Sequence, residues 1–284
     1  MKKLITIVAI LLAIGCTKAV QDILPRPTDD NTVDKGRYLV QGLAACGYCH
    51  GDKRSPRSVL SGGQEREDVF GRVNVPNLTP DETGIKGWSA FDIVKALRGS
   101  MDPEDRHLSK DVHEGYEWMS DTDTYAITAY LGTLPPIRNE VERRELGFVT
   151  RNTTGFLESW REVKGHVPDI AKRYPIARGK YLVDNVARCG SCHNSPEGIF
   201  GASDYLAGGR IIKNDSGEKT APAINNAISS GLGGWSKEDI AEYLMTGTNP
   251  SGETMDPNFC PWEFYQNANK DDLFDIAEYL KTVG

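Results

Sequence analysis

Apolar positions recur at helical spacing in several stretches of the chain. Tyr38, Leu39, Gly42 and Leu43 share one face of a segment running from Asp34 to Ala45. Ile93, Val94 and Leu97 form a second stripe behind Ser89-Ala90-Phe91-Asp92, a serine cap with an acidic residue three positions on. Ile127, Tyr130 and Leu131 form a third, opened by Ser120 with Asp123 in the matching place. The same succession then returns. Ile240, Tyr243 and Leu244 follow Ser236 and Asp239, and Ile276, Tyr279 and Leu280 follow Asn269 and Asp272. No stretch shows a convincing period-two alternation, so the expected fold class is all-α, with much loop between helices.

The recurrence is a duplication. Gly36-Arg37-Tyr38-Leu39-Val40 matches Gly179-Lys180-Tyr181-Leu182-Val183, Val75-Pro76-Asn77-Leu78 matches Ala221-Pro222-Ala223-Ile224, and Gly87-Trp88-Ser89 matches Gly234-Trp235-Ser236. The offset grows from 143 residues (179 − 36) to 149 (272 − 123), the drift that loop insertions produce. Each copy has about 100 residues, a size with a thin apolar core of its own.

Inside this frame lies one pentapeptide twice, Cys46-Gly47-Tyr48-Cys49-His50 and Cys189-Gly190-Ser191-Cys192-His193. Two thiols on one short turn suit addition to the two vinyl groups of a haem, and the following histidine suits ligation of its iron. A redox C-x-x-C or half of a zinc site would also use paired cysteines. Two copies at matched positions favour covalent haem, so two haem c groups are expected. Cys16 and Cys260 remain of the six cysteines.

With 284 residues, 39% hydrophobic and 26% charged, the composition is ordinary for a globular protein. A formal net charge of −7 argues against nucleic acid as a partner and suits docking onto a basic protein. Met1-Lys2-Lys3 followed by an apolar run from Leu4 to Ile14 reads as an export signal, too short for an ordinary membrane span. It ends at Leu12-Ala13-Ile14-Gly15-Cys16, similar to a bacterial lipobox with Ala13 in place of leucine. Lipidation at Cys16 is the expectation; an uncleaved anchor or a cleaved signal with an incidental cysteine is the rival. Either places the mature protein outside the cytoplasm. Residues 17–33, with Pro25, Pro27, Asp29 and Asp30, read as a flexible tether.

Both copies resemble class I cytochrome c domains, over residues 34–284. The resemblance rests on an N-terminal helix, CxxCH, a proline whose carbonyl faces the haem histidine (Pro76 and Pro222) and a closing helix. The run Asn77-Leu78-Thr79-Pro80-Asp81-Glu82-Thr83-Gly84-Ile85, then Gly87-Trp88-Ser89, is similar to dihaem cytochrome subunits of membrane-bound sugar and alcohol dehydrogenases. The resemblance implies domains at 34–138 and 175–284, with His50 and His193 as proximal ligands. Between them, residues 139–174 carry Leu146, Phe148, Phe156, Leu157 and Trp160, and are expected to pack on a domain surface rather than hang free.

The family usually places a methionine ligand shortly before the closing helix, and here the chain departs from it. Nine residues before the caps Ser120 and Asn269 stand Asp111 and Cys260. His113 lies in the ligand window of the first copy and is the candidate distal ligand there, giving bis-histidine coordination and a lowered potential. Met101 and Met119 are weaker candidates, and His107 and His166 are spare. For the second haem the candidates are Cys260, which aligns by position, and Met255, whose repeat neighbour Leu108 argues for packing; an open site is the third possibility. The expected function is single-electron relay between a dehydrogenase or respiratory complex and an acceptor, with no substrate chemistry. The alternative is a dihaem peroxidase or thiosulfate-type oxidoreductase using an open or displaceable sixth site, with Cys260, His113 and Glu114 as suspects. A haem-based sensor would carry an output domain that has no counterpart in the sequence.

Overall fold

A computed structural model describes residues 30–68, 71–109, 113–144, 163, 165–196 and 203–284. Cys16, the signal, most of the tether, Asp111 and the apolar residues 146, 148, 156, 157 and 160 lie outside them.

The first repeat contains helices α1 (Asp30–Gln41) and α2 (Cys46–His50), strands β1 (Glu65–Asp68) and β2 (Gly71–Asn74), helix α3 (Ala90–Gly99), a 3₁₀ turn (Tyr116–Trp118) and helix α4 (Asp121–Leu131). The second contains α5 (Pro175–Tyr181) continued by a π-turn (Leu182–Val186), α6 (Gly190–His193), β3 (Ile211–Asn214), β4 (Gly217–Thr220), α7 (Lys237–Thr246), α8 (Trp262–Tyr265) and α9 (Lys270–Leu280). The chain is helix-rich, as expected, but two antiparallel ribbons correct the all-α expectation. Their strands have only four residues each, too few for an alternation to mark them; the turn glycines Gly71 and Gly217, both at positive φ, are their sequence trace.

Helix α1 starts at Asp30, inside the segment read as tether, and stops at Gln41 rather than carrying the cysteines at its end. The following residues turn through wide loops, with Ala44 N–H donating to Leu39 O at 3.0 Å. In the second repeat Ala187 N–H donates to Leu182 O at 2.7 Å. Immediately before the first cysteine of each motif sits a non-glycine residue in the left-handed region, Ala45 at φ 45° and Arg188 at φ 50°. This break re-aims each CxxCH segment on a short helix of its own.

Serine caps appear where the pattern put them. Ser89 with Asp92 and Ser236 with Asp239 form complete capping boxes, and Ser120 accepts from the backbone of Asp123. Asn269 makes no side-chain cap. Its N–H donates instead to the Tyr38 hydroxyl of the other repeat.

Gly36 sets how closely α1 crosses α4: a Cβ there would lie 1.9 Å from Ala126 O and 2.7 Å from Tyr130 Cβ. Gly179 repeats this against α9, 1.9 Å from Asp275 O and 2.7 Å from Tyr279 Cβ. A side chain at either position would wedge the opening and closing helices apart. The buried residues around these crossings, from Leu39 and Ile127 to Leu182 and Ile276, form one continuous apolar core that includes both repeats.

A reciprocal clasp joins the repeats. The Tyr38 hydroxyl donates to Asp272, which Arg178 grips at 2.6 and 2.9 Å. The Tyr181 hydroxyl donates to Asp123, which pairs with Lys35 at 2.6 Å. Each tyrosine also accepts from the backbone at the start of the opposite closing helix, Asn269 at 3.3 Å and Ser120 at 3.0 Å. Burial and the neighbouring carboxylate push both phenols up, so they stay protonated donors. Asp123 and Asp272 thus complete an inter-repeat joint besides opening their helices.

The described parts of 139–174 lie along the first repeat. Asn139 donates to Ser61 O at 2.9 Å, Arg143 reaches buried Asp102 at 3.0 Å, and Arg144 holds Asp68 through two nitrogens. Val167 O accepts from Asp121 N–H at 3.0 Å. His166 meets Asp121 at 2.5 Å with its side chain 72% exposed, so it serves this junction.

Candidate functional site

The two histidines are held alike. His50 Nδ1 lies 2.9 Å from Pro76 O, and His193 Nδ1 lies 2.7 Å from Pro222 O. A carbonyl only accepts, so each Nδ1 carries the proton and each Nε2 keeps its lone pair, the tautomer a metal ligand needs. Burial pushes His50 down to about 4, against the Pro76 bond, and it lowers His193 in the same way. Both imidazoles are neutral at ordinary pH.

A second set of matched bonds fixes the proline loops. Gly62 N–H donates to His50 O at 2.9 Å and Gly208 N–H to His193 O at 2.7 Å. Both glycines sit at φ 73°, and a Cβ would meet the proline loop at 2.5 Å in the first repeat and 2.3 Å in the second. Leu78 and Ile224 then anchor the far side of each proline through Leu60 O and Leu206 O. Only glycine permits this approach, which locks the carbonyl under the histidine ring. The Gly-Gly pair at 62–63 and 208–209 was visible in the sequence as another repeated dipeptide.

The thiols of Cys46 and Cys189 are each pushed up by burial to about 12, and that of Cys192 is raised for the same reason. The first motif reaches the second repeat through Tyr48. Tyr48 meets buried Phe264 edge-on at 6.5 Å, its hydroxyl donates to Asn258 O, and buried Tyr265 senses Cys189, Cys260, Cys192 and Tyr116.

His113 is brought to the first motif. Its ring centroid lies 6.2 Å from that of His50, with 29° between the planes, and its Nδ1 is buried without a hydrogen-bond partner. Two metal–imidazole bonds of about 2.0–2.1 Å in line, plus roughly 1.1 Å from each nitrogen to its ring centre, span about 6.2–6.4 Å. Burial lowers His113 to about 3, with His50 and Arg188 adding to the shift and the Ala96 carbonyl opposing it. A half-buried imidazole with an unpartnered Nδ1 and its ring 6.2 Å from that of His50 fits a distal iron ligand. Met119 is fully buried in the core, and Met101 bridges to His107 just beyond the end of α3. Glu114 is exposed.

In the second repeat, Cys260 lies among the motif thiols: burial first, then Cys192, raises it to about 12. Met255 is half-buried on the same turn, its carbonyl accepting from Trp262 Nε1 at 2.8 Å. A thiol and a thioether are both able to ligate a haem iron. Among the described residues no group of three or more His, Cys, Asp or Glu side chains forms a conventional metal cluster, so the zinc reading has no support in this geometry.

Comparison with known proteins decides the family. A dihaem cytochrome c-type protein of Cereibacter sphaeroides is 33% identical over 257 residues, covering 87% of this chain and 83% of its own. The chain belongs to the dihaem c-type cytochromes. The fructose dehydrogenase cytochrome subunit of Gluconobacter japonicus is 29% identical, over 96% of this cytochrome and 57% of the relative. The cytochrome c subunit of a quinone alcohol dehydrogenase from Gluconobacter oxydans is 28% identical, over 90% and 55%. This cytochrome therefore spans little more than half the length of those two subunits. No protein-family model matches the chain.

Sequence reasoning missed Arg188 and Tyr116 at the junction of the two motifs. Their only trace was the mismatch Ala45 against Arg188 just before each first cysteine.

Proposed function

We propose that this protein relays single electrons through two covalently bound haem c groups, from a dehydrogenase toward an acceptor. Cys46 and Cys49 hold the first haem and Cys189 and Cys192 the second, with His50 and His193 as proximal ligands oriented by Pro76 and Pro222. When bound, each haem supplies a one-electron ferric/ferrous couple. Residues 34–138 and 175–284 act as two haem-binding units joined by the clasp, with 139–174 as the connection in sequence. The chain's own part is to keep two imidazoles neutral and aimed, to exclude water with Tyr48 and Phe264, and to hold the two sites at fixed separation.

The observation that carries this reading is the matched pair of sites: each motif histidine is held through Nδ1 by a proline carbonyl, at 2.9 Å and 2.7 Å, and Tyr48 of the first motif packs on Phe264 of the second repeat at 6.5 Å. Relatives named as dehydrogenase cytochrome subunits support a dehydrogenase as donor. Among the described residues no helix is long and apolar enough to cross a membrane. Residence on the periplasmic side, attached through a lipidated Cys16, rests on the N-terminal sequence alone.

His113 closes the distal side of the first haem in this reading, and Cys260 or Met255 that of the second. The test is carbon monoxide addition to the dithionite-reduced holoprotein. A pure relay leaves both Soret bands unshifted and turns over no peroxide. Carbon monoxide binding together with sustained peroxide turnover would overturn the relay in favour of an oxidoreductase.

A further inference from the structure

Arg188 belongs to the second repeat, yet its side chain lies in the first. The guanidinium sits 4.1 Å above the Tyr116 ring, and Nη1 donates to Glu114 O at 3.2 Å. Tyr116 is buried and its hydroxyl donates to Ala44 O at 3.1 Å, two residues before Cys46. Gly115 makes the approach possible: at φ 105° it carries no Cβ, which would fall 3.2 Å from Arg188 Cγ and 2.6 Å from Asp184 O. Asn185 secures the same loop by donating to Gly115 O at 2.8 Å. The left-handed backbone at Arg188 aims the side chain there.

The guanidinium sits on the first site's side of the joint. The Tyr116 ring that it covers lies 5.9 Å from the His113 ring, and the Glu114 carbonyl that it binds belongs to the residue next to His113. A fixed cation stabilises the ferrous form of a nearby haem over the ferric, because the ferric iron carries one more positive charge.

We infer that Arg188 is a tuning residue supplied by the second repeat, which raises the reduction potential of the first haem selectively. It opposes the low potential that two histidine ligands would impose, so the step between the haems depends on the two repeats being docked. The inference rests on the reading that both motifs carry haem. Haem content of the purified wild type checks that reading before any variant is made.

The test is an EPR-monitored redox titration of full-length Arg188→Gln, Arg188→Met and Arg188→Lys holoproteins. The first haem is assigned as the signal that His113→Ala abolishes. Glutamine should shift the first ferric/ferrous equilibrium about tenfold toward ferric, a fall of about 59 mV for a one-electron couple, with a smaller fall at the second haem. Methionine keeps the stem over Tyr116 without the charge and should behave alike, which preserves the test if one variant fails to fold. Lysine should retain most of the wild-type potential. An unchanged first potential in a folded neutral variant, or equal falls at both haems, would overturn the inference.

Discussion

Gly36→Ala sets two calculable effects against each other. In an isolated helix the change stabilises by about 1 kcal/mol, because alanine is the better helix former. Here the added methyl would stand 1.9 Å from Ala126 O, 2.6 Å from Ala126 C and 2.7 Å from Tyr130 Cβ. Two of these are backbone atoms of α4, so no side-chain rotation relieves them and the helices must separate. Overpacking of this kind costs about 3 kcal/mol at the upper end of its usual range. The net is a destabilisation of about 2 kcal/mol, or roughly 4–8 °C in melting temperature for a chain of this size. Gly179→Ala meets Asp275 O and Tyr279 Cβ at the same distances and should fall by a similar amount. Thermal unfolding of each holoprotein, followed by far-ultraviolet dichroism and Soret absorbance, reads the effect. A melting temperature at or above wild type in either variant would refute the crossing geometry, since propensity alone would then dominate.

Three other outcomes follow from the same contacts. Tyr38→Phe and Tyr181→Phe each leave a buried carboxylate short of a donor and should cost about 1–3 kcal/mol in chemical denaturation; unchanged midpoints in both would remove the clasp. Burial pushes Asp102 up, but hydrogen bonds from the Arg106 backbone and guanidinium and from Arg143 outweigh it and hold the carboxyl below the usual range. A depressed carboxylate stabilises above its unfolded pKa and loses that contribution as pH falls, so Asp102→Asn should flatten the acid limb of a stability-against-pH curve; a parallel curve contradicts this. Of Cys260→Ser and Met255→Leu, one alone should change the absorption and EPR of the second haem, and a change in neither would leave its sixth position without a protein ligand.

The repeat, the cap serines, the four motif cysteines with His50 and His193, and the two prolines were legible because each depends on local spacing. What escaped depends on tertiary approach. The four-residue ribbons carry charged residues whose pairing shows only once the glycine turns are folded. Asn269 reads as a helix cap, yet Tyr38 of the other repeat takes its N–H. Asp123 and Asp272 read as first-turn acids, and their partners are tyrosines of the other repeat, 58 and 234 residues away in sequence. Arg188 carries no mark in the sequence beyond its place before a motif; the left-handed turn at its own Cα carries it into the other repeat. His113 lay between these cases, since its position in the loop marked it and its partnership with His50 needed the folded chain.

The first site depends on His113 facing the iron of a haem attached at Cys46 and Cys49 and ligated by His50. Low-temperature EPR of the oxidised holoprotein, wild type beside His113→Ala, tests that directly. The structure predicts a low-spin ferric signal of bis-imidazole type for the first haem, converted to high spin in the variant while the second haem's signal stays in place. A first haem already high-spin in the wild type, or a spectrum that loss of His113 leaves unaltered, would contradict it.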